Sequence, residues 1–140
     1  QQCDTVGQEQ CRVLTSGAYT GLHWVIICYD VTNRESWVNV PNWLKQVDTY
    51  CNNSETIVRI VAGTKLDLVN SGAKPKVVTQ EETAKLLQDC ATANKPLGFF
   101  ETSAKSNINV EELFVDLAHR IYDFTAPEPV HHGPACCSLL

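Results

Sequence analysis

A chain of 140 residues with 44% hydrophobic content is long enough for one domain with a core of its own. Its net charge of −5, from 11 basic and 16 acidic side chains, excludes the basic stripe that a nucleic-acid groove requires, so no nucleic-acid partner is expected. No apolar run approaches the ~20 residues of a membrane span, and no amino-terminal signal pattern is visible.

In chain order, the continuous apolar run His23-Trp24-Val25-Ile26-Ile27-Cys28-Tyr29 predicts a strand covered on both faces. Trp37, Val40, Leu44, Val47 and Cys51 then recur at helical spacing and predict one face of a single helix. Ile57 to Gly63 is a second buried strand, running out into the polar loop Thr64-Lys65-Leu66-Asp67. Thr79-Gln80-Glu81-Glu82 is a capping box that opens a helix carrying Leu86, Leu87, Cys90 and Ala91. Leu97-Gly98-Phe99-Phe100 is a third short strand, ending where Ser103-Ala104-Lys105 begins. Asn109 to Glu112 predicts another cap, with Ile108 and Leu113 as a hydrophobic staple, before a helix that buries Val110, Leu113, Phe114, Leu117, Ile121 and Phe124. From about Thr125 onward Pro127, Pro129, Gly133 and Pro134 break all periodicity and predict a flexible tail. Strands alternating with helices give an α/β fold, a three-layer parallel sheet with helices on both faces. The seven cysteines include no C-x-x-C pair, which removes zinc-knuckle and thioredoxin readings; most lie in apolar periodic segments, where buried thiols are found.

The chemistry is concentrated at two strand ends, where ligands bind in open α/β sheets. A carboxylate such as Asp67 is a pure acceptor and can take two parallel hydrogen bonds, from the N1 and N2 hydrogens of guanine. Adenine offers no such pair and would leave the carboxylate unpaired, which is a strong basis for rejection. The stem of Lys65 can lie along a base plane.

Asp4-Thr5-Val6-Gly7-Gln8-Glu9, Thr64-Lys65-Leu66-Asp67 and Phe99 to Lys105, in that order, resemble the Ras superfamily of small GTPases, whose motifs read Asp-x-x-Gly-Gln, Asn/Thr-Lys-x-Asp and Ser-Ala-Lys. Within it, Tyr29-Asp30-Val31-Thr32 and Asn42-Trp43-Leu44 resemble the Rab branch, and Asn42-Trp43-Leu44 with Tyr50-Cys51 resembles the subgroup associated with the endoplasmic reticulum and lipid droplets. The resemblance implies a GTP/GDP switch in vesicle or organelle traffic. In it Asp4 holds a water on Mg²⁺, the Gly7 N–H meets the γ-phosphate and Gln8 orients the attacking water. Thr64, Lys65, Asp67, Ser103, Ala104 and Lys105 would hold the base, with the Ala104 N–H on guanine O6 and Lys105 packing nearby. Effectors, an exchange factor and a GTPase-activating protein would be its partners. Departures are Val6 where Ala is usual, Cys3 where Rab proteins carry Trp, and Gln10-Cys11 in place of a basic-aromatic pair.

None of the seven glycines is followed by Lys, so the phosphate loop Gly-x-x-x-x-Gly-Lys-Ser/Thr is absent from these residues. With Gln1-Gln2-Cys3 at the start and no Met, the expectation is a partial G domain over 1–124, lacking its first strand, phosphate loop and switch I. Residues 125–140 would be the tail. Its last four residues, Cys137-Ser138-Leu139-Leu140, fit a C-a-a-X signal that prenylation machinery reads, Leu favouring geranylgeranyl. One lipid gives marginal binding, and Cys136 is a candidate for a second. The chain would then sit on the cytoplasmic face of intracellular membranes. The alternative is a non-hydrolysing short form that acts only as a membrane-anchored partner-binding module.

Overall fold

In the computed structural model the described residues are 23–50, 57–91 and 97–125, the last two of these, 124 and 125, by backbone alone. Three strands, β1 (Trp24–Asp30), β2 (Val58–Thr64) and β3 (Leu97–Glu101), form one parallel sheet in the order β1-β2-β3. The register places Asp30 beside Thr64 and Gly63 beside Glu101, so all three strands finish at the same edge. Among the described residues five helices connect or follow them: α1 (Arg34–Val38), α2 (Val40–Tyr50), α3 (Leu66–Asn70), α4 (Gln80–Cys90) and α5 (Val110–Thr125).

The sheet is covered on both faces, as its alternating side chains require. On one face Ile27, Tyr29, Ile57, Val61 and Leu97 pack with Trp37, Val40, Leu44 and Val47 of α1 and α2 and with Leu86 of α4. On the other, Val58, Ile60 and Ala62 pack with Leu113 and Leu117 of α5. Central β2 is buried along nearly its whole length, and it carries Arg59 at 1% exposure. That guanidinium reaches the Asp48 carboxylate at 3.4 Å and the Cys90 carbonyl at 3.2 Å, which ties the ends of α2 and α4 to the sheet. A buried cation persists only with such partners.

The expected single helix from Trp37 is two helices meeting at Asn39. Pro41 lacks the N–H that would continue the ladder, and its fixed φ suits a first turn, so the chain restarts there while Trp37, Val40, Leu44 and Val47 keep one buried face. The Thr79 box forms as expected: Thr79 N donates to Glu82 Oε2 at 3.0 Å, and Glu82 N donates to Thr79 Oγ1 at 3.3 Å. Arg34 clasps the same Glu82 carboxylate and donates to the Val77 carbonyl at 3.1 Å, joining the starts of α1 and α4. Hydrogen bonding from Arg34, then from the Thr79 backbone, holds the Glu82 carboxyl down to about 2. Because the folded value is depressed, this contribution is complete above the ordinary Glu range and is lost only as the pH falls toward 2.

Three further expectations are corrected. β1 is fully buried only at Ile27 and Tyr29; Cys28 is exposed and Trp24 to Ile26 half-buried, and Cys90 is likewise half-buried. Asn109 is no extended cap: it sits at φ 55° and its Nδ2 donates to the Glu101 carbonyl at 2.8 Å. Phe114 is 47% exposed, because α5 rolls Leu113 and Leu117 onto the sheet and leaves Phe114, Val115 and Tyr122 on its outer side. The Phe124 side chain and Cys51 lie outside the described residues.

Candidate functional site

The carboxyl ends of β2 and β3 are stitched together by backbone. Thr102 N donates to the Gly63 carbonyl at 2.6 Å, and Leu66 N donates to the Thr102 carbonyl at 3.0 Å. Two loops leave the sheet there side by side, one with Thr64, Lys65 and Asp67, the other with Ser103, Ala104 and Lys105. The register thus gathers all six expected base-site residues that fall within the described residues. Asp4, Gly7, Gln8, Cys136 and Cys137 lie outside them.

The first loop is shorter than expected, because α3 starts immediately at Leu66 and takes Asp67 into its first turn. Lys65 precedes it at φ 64°, ψ 33°, a left-handed conformation that costs a side-chain-bearing residue energy and is held where surrounding structure fixes it. Asn107 at φ 50° and Asn109 at φ 55° are the other two such non-glycine residues among those described, and both follow β3. All three border the same edge of the sheet, and strain of this kind clusters at functional sites.

Asp67 is half-buried, and Ser103 is 0% exposed. The Ser103 hydroxyl donates to Asp67 Oδ1 at 2.6 Å and accepts from Ser106 N at 3.1 Å. Both its hydrogen-bonding directions are therefore used, and its role is to orient the carboxylate. Oδ2 of Asp67 is then the oxygen left to face a ligand. The second loop is closed by the reciprocal pair Ser103 N to Ile108 O at 3.0 Å and Ile108 N to Ser103 O at 2.9 Å, which leaves Ala104 and Lys105 exposed at its turn. Glu101 supports its base: Lys76 pairs with its carboxylate at 2.5 Å while Asn109 holds its carbonyl. Thr64, where Asn is commoner in the resemblance, donates its hydroxyl to the Tyr29 carbonyl at 2.9 Å and so fastens β2 to β1.

Sequence reasoning missed Asp30. This last residue of β1 holds the Lys65 ammonium on its Oδ2 at 2.8 Å, while its Oδ1 accepts from Thr32 N at 2.8 Å and Thr32 Oγ1 at 2.7 Å. Partial desolvation pushes the Asp30 carboxyl up, but the Lys65 ammonium and the two Thr32 donors outweigh it and hold it below the usual range. The same pairing raises Lys65. The signal available was the Asp-x-Thr pattern at a strand end, a local turn that fixes a carboxylate.

Among the described residues, no group of three His, Cys, Asp or Glu side chains is placed to hold a metal ion. The Mg²⁺ expectation rests on Asp4. No described helix is long and apolar enough to cross a membrane.

The arrangement can therefore present one oriented carboxylate and a set of exposed loop groups to a planar ligand at the sheet edge. Comparison with known proteins supplies the family. The Ras family model matches residues 1–123. The chain is similar to Ras-related protein RABD1 of Arabidopsis thaliana, 43% identical over 84% of this chain and 52% of that protein. It is also similar to GTP-binding protein YPTM2 of Zea mays, 41% identical over 90% of this chain and 57% of that one. Ras-related protein RIC1 of Oryza sativa subsp. japonica is 39% identical over the same shares. The chain spans about half the length of the curated relatives it matches. It belongs to the Ras family, on its Rab branch.

Proposed function

We propose that these residues form the guanine-recognising part of a Rab-type GTP/GDP switch. The observation that carries this is the Asp67 carboxylate beside the strand ends, held at Oδ1 by the buried Ser103 hydroxyl. Guanine N1–H and N2–H supply the donors such a carboxylate needs, the exposed Ala104 N–H supplies one for O6, and Lys65 supplies an apolar stem for the base plane. Titration of the chain with guanosine and adenosine tests it: guanosine binds, adenosine does not. Equal binding of the two nucleosides contradicts it. Because no glycine in these 140 residues is followed by Lys, GTP with Mg²⁺ gains little over guanosine on this chain. Sub-micromolar, Mg²⁺-dependent GTP binding contradicts that part.

The same reading gives Gln8 the attacking water, Gly7 the γ-phosphate, and Asp4 a water on Mg²⁺, in a domain over 1–124 whose partners are effectors, an exchange factor and a GTPase-activating protein. It places the protein on the cytoplasmic face of endomembranes through lipid on Cys137, with Cys136 as a second acceptor. Cys137→Ser removes the thiol that prenylation needs, so cell fractionation finds that variant wholly soluble; persistence on membranes places the anchor elsewhere. The finer assignment to endoplasmic reticulum or lipid droplets rests on Asn42-Trp43-Leu44 and Tyr50-Cys51, of which Leu44 is buried in the core and Trp43 packs against it. A role as a membrane-anchored partner-binding module without hydrolysis is favoured for these residues taken alone by the missing Gly-Lys pair.

A further inference from the structure

Lys65 is fixed at both ends. Its backbone is set in the left-handed region, with its carbonyl accepting from Leu68 N at 3.0 Å. Its ammonium lies 2.8 Å from Asp30 Oδ2, on the neighbouring strand. The Asp30 carboxylate is itself clamped, because Thr32 gives Oδ1 two donors within 2.8 Å. Thr32, Asp30 and Lys65 thus form a relay from the end of β1 to the end of β2. A lysine tethered at one end alone samples many rotamers, and ordering it on binding opposes affinity. Tethered at both ends, its partly exposed methylene stem has less rotamer freedom to lose when a ligand arrives.

We propose that Asp30 is a positioning residue for base recognition: it pins the Lys65 ammonium so that the Lys65 stem is already laid out as the surface on which a planar purine rests. This rests on the guanine-binding reading above and adds to it a residue on a different strand, which touches no ligand and acts through Lys65. Lys65 and Asp67 then divide the work. Asp67, toward β3, reads the base edge, and Lys65, toward β1, supports its face.

The test is nucleoside titration of the 140-residue chain and its variants, followed by amide NMR spectra that also report folding. Asp30→Asn keeps the shape and loses the charge; guanosine affinity falls about three- to tenfold, the range expected for leaving one rotamer-rich side chain to be ordered on binding. Asp30→Glu, which keeps the charge, recovers most of that loss. Thr32→Val, which frees the carboxylate, gives a smaller loss and serves where Asp30→Asn disturbs folding. In a Lys65→Ala background Asp30→Asn has no further effect, since there is nothing left to position. A wild-type chain that binds guanosine while Asp30→Asn binds it equally well overturns the proposal, as does an undiminished Asp30→Asn effect in the Lys65→Ala background. A wild-type chain that fails to prefer guanosine over adenosine overturns the guanine-binding reading itself.

Discussion

Replacing Asp67 by Asn moves base preference from guanine toward xanthine. The Ser103 hydroxyl donates to Asp67 Oδ1 and accepts from Ser106 N, so its hydrogen is committed toward residue 67. An asparagine there satisfies that donor with its Oδ1 and turns its Nδ2 to the ligand. The amide then meets the N2 amino group of guanine donor to donor, whereas the O2 of xanthine accepts. Losing a hydrogen bond to a charged group and leaving buried donors opposed costs roughly 2–3 kcal/mol, so guanosine weakens by roughly 30- to 140-fold. Parallel titrations of wild-type and Asp67→Asn with guanosine and xanthosine read the switch. An Asp67→Asn protein with unchanged preference removes Asp67 from the site.

Gly63→Ala destabilises the whole sheet edge. A Cβ at position 63 would stand 2.8 Å from both the Tyr29 hydroxyl and Val31 Cγ1, and 2.9 Å from Tyr29 Cζ. Those side chains have nowhere to go: Tyr29 and Val31 are buried, and the Tyr29 ring packs 4.9 Å from the Trp37 ring, centroid to centroid. Overpacking of this kind costs about 1–3 kcal/mol. The thermal unfolding midpoint of the variant falls by roughly 3–12 °C at this domain size. The Tyr29 hydroxyl is buried without a hydrogen-bond partner among the described residues, and desolvation pushes its pKa far above the ordinary tyrosine value. Removing it in Tyr29→Phe is close to neutral, and it opens room that returns part of the Gly63→Ala loss. A Gly63→Ala protein as stable as wild-type contradicts this packing. Since the Gly63 carbonyl also accepts from Thr102 N, the variant disturbs the spacing of the two loops and weakens nucleoside binding in parallel.

The three strands were legible because buried parallel strands are apolar runs, and the Thr79 box because a cap is a local pattern of four residues. Local pattern failed where tertiary packing decided. Phe114 has the spacing of a core residue, yet the sheet accepts only Leu113 and Leu117 from that face. Nothing in the run around Arg59 announces a buried cation, since its partners lie 11 and 31 residues away. The helix following Lys65 is only five residues long, too short for any periodicity to register. The candidate site divides the same way. Thr64 to Asp67 and Ser103 to Lys105 are visible as motifs, whereas the roles of Ser103 and Asp30 are contacts across 36 and 35 residues of sequence, formed only when the strand ends align.

In the proposed function a guanine base docks between the two loops at the carboxyl edge of β2 and β3. Amide chemical-shift mapping of the isotope-labelled 140-residue chain with guanosine tests it most directly. The shifted amides are expected to fall on 64–70 and 102–108, with Ala104 prominent, while adenosine at the same concentration leaves them in place. Shifts confined to the amino-terminal ends of the strands, or identical with both nucleosides, would contradict it.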